Sequence, residues 1–211
     1  MKFYKVLNVD GSCCHGGVGK WPLPVNGEPG AWMPPVQGEL VPCENGYHVL
    51  KFNQLVKWLG PAIVEVEIRG SLIEQKDKCV TREARTLRVL DAWNEKASRL
   101  FACDCAERVL HLFEAIYPND ARPRTAIKVA RRFANGEATV KELVAARDAA
   151  SHARDAASHA SDAASFASYA ASFASYAASD AASHAASDAA SYAEKEWQTS
   201  LLAGILGIEE D

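Results

Sequence analysis

Between Ala145 and Ala193, 23 of 49 residues are alanine and 11 are serine, with no glycine or proline among them. Helix is the regular structure such a stretch favours, because alanine has the best helix propensity. From His152 to Tyr176 the residues other than Ala, Ser and Arg154 fall on a stripe: His152, Asp155, His159, Asp162, Phe166, Tyr169, Phe173 and Tyr176. Their alternating steps of three and four are the heptad spacing of a coiled-coil seam. Ala153, Ala156, Ala160, Ala163, Ala167, Ala170, Ala174 and Ala177 run beside it, an edge that allows close backbone approach. After Tyr176 the steps are four throughout (Asp180, His184, Asp188, Tyr192), which turns the stripe about 40° per step on a 3.6-residue helix. One straight neighbour cannot follow that drift, so a break or a change of neighbour is expected near 177–180. Unbroken from Thr139 to about Ala203, the helix would be roughly 95 Å long. Serine at every third or fourth position costs helix stability, and a free helix in water would carry Glu and Lys instead. The tract therefore points to oligomerisation or docking, with Phe166, Tyr169, Phe173 and Tyr176 as its apolar centre.

The rest of the chain has a different character. Nine of 13 Gly and seven of nine Pro lie at or before Pro61. Lys2 to Leu7 reads as a first strand ending in the turn Asn8-Val9-Asp10-Gly11. Ser12 to Gly46 is loop-rich, broken by Pro22, Pro24, Pro29-Gly30 and Pro34-Pro35 and anchored by Trp21, Trp32 and Met33. A short helix over Phe52 to Leu59 stops at Gly60-Pro61. Ala62 to Gly70 alternates as a half-buried strand does, and Cys79 to Leu90 supplies another. Asp91 reads as the N-cap of a helix to about Tyr117, whose apolar residues recur at three- and four-residue steps and include Trp93, Phe101, Val109, Leu112 and Ile116. A second helix starts at Pro123 and stops at Asn135-Gly136, and Thr139 with Glu142 forms a capping box for the third. The expected fold class is α+β: a small α+β domain over 1–90, a helical pair over 91–138, and the long Ala-rich helix with an apolar tail over 139–211.

No run reaches the ~20 apolar residues of a membrane span, and the N-terminus carries no secretory signal. With 23 Lys+Arg against 27 Asp+Glu, bulk charge does not favour a polyanion, so nucleic acid is not an expected partner. Six cysteines in such a chain read as reduced thiols, placing it in the cytoplasm.

Gly16-Gly17-Val18-Gly19-Lys20 fails the phosphate-loop pattern, because Cys14 and Trp21 stand where a glycine and a Ser or Thr are needed. Cys13, Cys14, His15, Cys43 and His48 are the candidate zinc ligands, although Cys43-x4-His48 matches no standard finger. Cys103 and Cys105 point about 160° apart on a helix and read as core thiols. Arg122, Arg124, Lys128, Arg131 and Arg132 make a basic stripe, either a face paired with Glu107, Glu114 and Asp120 or a site for an acidic partner. No nucleophile-base-acid set and no dinucleotide fingerprint is present.

Tyr4-Lys5-Val6-Leu7, Cys43-Glu44-Asn45-Gly46-Tyr47-His48 and Val64 to Gly70 together resemble an uncharacterised domain of phage and bacterial proteins, covering about 1–90. Arg99 to Leu110, Asp120-Ala121-Arg122-Pro123-Arg124 and the Ala-rich tail closing on Glu196-Trp197-Gln198 are similar to the immunity proteins of bacterial toxin systems, over roughly 99–200. This second resemblance implies a helical binding protein, with Glu107, Arg108, Arg122 and Arg124 as the polar positions to test. The N-terminal region also looks like an ADP-ribosyltransferase core, which as a fold analogy implies a nucleotide or ADP-ribose pocket near Tyr4, Tyr47 and His48.

The leading expectation is a binding protein of bacterial or phage conflict, without a cofactor. It acts on a protein partner through Glu107, Arg108, Arg122, Arg124, Arg131 and Arg132, or on itself through Phe166, Tyr169, Phe173 and Tyr176. A ligand-binding head and a phage structural rod are the alternatives.

Overall fold

The computed structural model describes residues 1–152 and 192–208. Four strands, β1 (Phe3–Leu7), β2 (Tyr47–Val49), β3 (Ala62–Glu74) and β4 (Cys79–Val89), form one antiparallel sheet in the order β1-β3-β4-β2. Register shifts between Glu65 and Val66 and between Arg69 and Leu72 interrupt the β3–β4 ladder, as bulges do where a sheet bends. The sheet curls until Leu50, just past β2, exchanges both backbone hydrogen bonds with Tyr4 on β1 at 2.8 Å.

Alternation assigns the two faces. Phe3, Leu7, Val64, Val66 and Ala84 bury on one side with Trp21, Val49 and Cys79. On the other, Tyr4, Val6 and Ile63 are buried, and Tyr4 meets Phe52 of a 3-10 helix over Phe52–Trp58 edge-to-face at 5.9 Å. Further along β3 that second face turns polar: Glu65 pairs with Arg88 and Glu67 with Arg85 across the strands. The fully buried Leu55 and the buried Gln54 come from the 3-10 helix, and Gln54 spends its amide on Lys51 N–H and the Gln75 carbonyl.

The Pro-rich segment is irregular in conformation yet tied to the sheet. The N–H groups of Gly30, Met33 and Val36 donate to Thr86, Ala84 and Arg82, covering the edge of β4 beyond β2. Trp21 and Met33 reach the core as expected. Trp32 instead lies under the guanidinium groups of Arg69 at 3.7 Å and Arg85 at 4.8 Å, on the charged face. At the first turn Gly11 takes φ +85° and approaches the Trp21 carbonyl so closely that a Cβ would collide with it.

The helices follow: α1 (Glu95–Ile116), α2 (Arg122–Ala134), and helical residues over 140–152 (α3) and 192–206 (α4). α1 starts four residues later than its expected cap. Trp93 N–H donates to Leu90 and its indole Nε1 to Gly60 at 2.8 Å, holding the intervening residues in a turn. α2 ends as glycine termini do, with Gly136 at φ +78° and Glu137 N–H on the Arg132 carbonyl. Thr139 N–H and Oγ1 donate to Glu142 at 2.7 and 2.8 Å, and Glu142 N–H returns to Thr139 Oγ1 at 3.2 Å, completing the box that opens α3.

By contact, the described residues of Met1–Glu95 and those from Trp197 onward form one unit, and those of Lys96–Glu196 another. Leu202 and Ala203 are buried at the C-terminal end of the first unit. The aromatic seam Phe166, Tyr169, Phe173 and Tyr176, and the expected break at 177–180, lie outside the described residues. Among the described residues no helix is long and apolar enough to cross a membrane.

Candidate functional site

Two places gather chemistry, one in each unit. In the helical unit, α1 and α2 are joined by an ion-pair ladder. Arg131 reaches Asp104 at 2.6 Å and Glu107 at 2.5 Å, and Arg124 makes a two-pronged pair with Glu114 at 2.6 Å. Arg122 grips Asp120 through Nε and Nη2 at 2.8 and 2.6 Å. Arg132 lies 3.6 Å from Glu142 and donates to the Glu137 carbonyl, and Arg108 pairs with Glu194 at 2.7 Å. All six polar residues expected at a partner surface are therefore brought onto these helices, and each has a partner within the chain. Their hydrogen bonds lower the carboxyl pKa of Glu114 and Asp120 and raise the guanidinium pKa of Arg122 and Arg124. Such exposed pairs contribute little stability each, about 0–1 kcal/mol, and serve here to fix the helices in register.

The ladder also decides which side of α1 faces α2. Glu107 and Glu114 reach α2 through their arginines, Cys103 Sγ donates to the Ile127 carbonyl at 3.9 Å, and Leu110, on the same helical face, is buried. About 150° round the helix stand Val109, Leu112 and Ile116, at 43%, 60% and 70% exposure. The apolar periodicity of α1 reads as a core face, and the structure turns its C-terminal half outward. The sequence pattern registers an apolar stripe but not which neighbour takes it. Ile116 also opens a cleft of about 770 Å³ at the α1–α2 turn, walled by Tyr117, Asp120, Arg122 and Thr125 and floored by Ala146 and Ala149 of α3. Ile116 belongs to both the stripe and the cleft.

In the sheet unit, Tyr4 and Tyr47 do not line a common pocket with His48. Tyr4 is 1% exposed on the Phe52 face, whereas Tyr47 packs on Trp21 at 5.6 Å on the opposite face and donates to the Pro34 carbonyl at 2.8 Å. The five candidate zinc ligands are not gathered either, and among the described residues no three His, Cys, Asp or Glu side chains are placed to hold a metal. Cys43 N–H occupies His48 Nε2 at 3.0 Å, His15 Nε2 lies 2.7 Å from the Trp58 carbonyl, and Lys78 Nζ donates to Cys43 Sγ at 3.0 Å. His48 Nε2 is thus occupied by a backbone donor, and an ammonium stands on the Cys43 sulfur.

His48 is half-buried, and its pKa is lowered from 6.5 first by burial and then by the charges of Lys5 and Lys78. The unfolded chain therefore binds the proton more readily, so stability is present above about pH 6.5 and falls as pH drops below it. We expect the urea midpoint to decrease between pH 7.5 and pH 5.5. His48→Gln, which keeps an acceptor for Cys43 N–H, should flatten that decrease, and an unchanged slope would remove His48 as its source.

Residues 88–202, more than half of the 211-residue chain, match the family model described as Imm-5 like putative immunity protein. No curated protein and no solved structure matches the chain.

Proposed function

We propose that this chain, which belongs to the Imm-5 like putative immunity protein family, neutralises a protein partner by covering part of its surface with the helical unit. The observation that carries this reading is the exposed stripe Val109, Leu112 and Ile116 running into the cleft at the α1–α2 turn. Apolar side chains exposed in a row at helical spacing mark contact surfaces in soluble proteins. Here they sit inside the family-matched segment, beside arginines whose geometry is already fixed. A partner that inserts an apolar anchor into the cleft gains burial at the centre and meets a charged rim. Arg122 borders that centre, and Arg108, Arg124, Arg131, Arg132 and Glu107 extend the polar surroundings. In the same reading Phe166, Tyr169, Phe173 and Tyr176 provide self-association through the heptad seam of the Ala/Ser tract.

Affinity capture from the cells that make the protein tests the proposal. Hot-spot residues near the centre of an interface contribute about 2 kcal/mol or more each, close to 30-fold in affinity. Leu112→Asp with Ile116→Asp should therefore remove the captured partner, while Val18→Asp, on a fully exposed valine of the sheet unit, should retain it. Equal capture by the double variant would defeat the reading.

A further inference from the structure

One lysine of the sheet unit stands where strand alternation calls for an apolar side chain. On β1, Phe3, Lys5 and Leu7 share a face; Phe3 and Leu7 are buried in the core, and Lys5 lies opposite Val64, which is buried in the same core. Its ammonium sits 5.3 Å above the ring of Trp21, another member of that core. Elsewhere in the unit, Lys20, Lys51 and Lys57 meet Asp10, Glu74 and Asp77, and Lys78 meets the Cys43 sulfur. Lys5 differs: among the described residues no carboxylate pairs with it and no acceptor takes its hydrogen bonds. The ionisable groups around it are the thiols of Cys13 and Cys14, from the segment after the first turn, and the imidazole of His48 on β2, none of them a fixed negative charge. A charge taken out of water without a partner costs free energy, so the neutral amine is favoured. Burial accordingly pulls the Lys5 pKa below the ordinary lysine value, and the two thiols offset only part of that. Lys5 is half-buried, and no fully buried side-chain nitrogen among the described residues lacks a hydrogen-bond partner, so its unpartnered amine keeps contact with solvent.

We propose that Lys5 is a nucleophilic amine and a site of reversible imine formation with small aldehydes. A lysine desolvated in an apolar setting is a recurrent form of this nucleophile. The unprotonated nitrogen attacks the carbonyl carbon, and the C–N bond forms as the π pair of the C=O bond moves to oxygen. A proton passes from nitrogen to that oxygen and gives the carbinolamine. The nitrogen lone pair then forms the C=N bond as hydroxide leaves, and the remaining N–H proton joins the hydroxide as water. Amine and aldehyde thus become imine and water without any redox partner, and water reverses the step. Lys5 lies outside the family-matched residues 88–202, so this site is tested separately from the partner surface of the helical unit.

The test treats the full chain with acetaldehyde and cyanoborohydride, which reduces the imine to a stable ethylamine, and maps the lysines by mass spectrometry over time between about pH 6 and pH 9. Near pH 7 Lys5 should be ethylated about tenfold faster than Lys2 and Lys76, although those two are exposed, because more of it is unprotonated. Its rate should also level off at a lower pH than theirs. In urea, which removes the fold, the three rates should become equal. Cys14→Asp, which brings a carboxylate to the neighbourhood of the amine, should slow Lys5 about tenfold with the circular dichroism spectrum unchanged, while Cys14→Ser should leave it within about twofold. Ethylation of Lys5 no faster than that of Lys2 and Lys76 near pH 7 would overturn the proposal. So would an advantage that persists in urea, or one indifferent to Cys14→Asp in a folded variant.

Discussion

Truncation of Leu202 to alanine is expected to destabilise the sheet unit by about 2–5 kcal/mol, the range for deleting a fully buried leucine. Leu202 has no exposed surface, and the chain from Trp197 onward belongs by contact with Met1–Glu95. The unit around the N-terminal sheet is thus built from both ends of the sequence. Stabilities of single domains are about 5–15 kcal/mol, so this loss is a large fraction of what holds the sheet together. Chemical denaturation followed by Trp21 and Trp93 fluorescence should show the midpoint drop, since both rings are buried in that unit. A variant whose midpoint matches the parent would mean that the C-terminal helix adds nothing to the sheet unit's core.

Gly30→Ala is expected to be comparably severe, for a different reason. Gly30 donates its N–H to the Thr86 carbonyl at 2.9 Å, and Thr86 Oγ1 donates to the Pro22 carbonyl. A Cβ on Gly30 would fall within 3.0 Å of the Pro22 carbonyl oxygen and carbon and of Thr86 Oγ1. Neither can retreat cheaply: Pro22 is backbone next to the buried Trp21, and Thr86 is fully buried. Overpacking usually costs 1–3 kcal/mol, and a clash against fixed backbone belongs at or above the upper end, about 3 kcal/mol. The variant should also release the Pro-rich segment from β4. Amide hydrogen exchange at Met33 and Val36 should then rise well beyond the global change. A loss below about 0.5 kcal/mol would show that the segment tolerates displacement.

Much of this architecture is legible in the chain because its signals are local. The alternation of Ala62 to Gly70, the turn at Gly11, the Gly136 terminus and the Thr139–Glu142 box each state their structure within a few residues, and each appears where expected. β2 is not legible: three residues in a loop-rich region become a strand only by pairing with Cys79, Val80 and Thr81. The late start of α1 likewise depends on a distant group, the Gly60 carbonyl that holds Trp93.

The sites divide in the same way. Arginine spacing on α2, with the acidic residues of α1 and of the turn after it, suffices to suggest Glu107, Glu114 and Asp120 as partners. The outward turn of Val109, Leu112 and Ile116 depends on which face α2 takes, and periodicity is silent on that. The Cys43–Lys78 contact joins residues 35 apart in sequence through β2–β4 pairing. The separation of Tyr4 from Tyr47 follows from the two faces of one sheet, a choice that their shared proximity in the fold conceals.

In the proposed function, the helical unit meets its partner through the outward face of α1 and the cleft beside it. Hydrogen exchange of the full chain, measured alone and with the captured partner, tests it most directly. New protection is expected at the amides from Cys105 to Thr125, with the strands of the sheet unit unchanged. Protection confined to β1–β4 and the Pro-rich segment, with the α1–α2 turn exchanging as in the free protein, would contradict it.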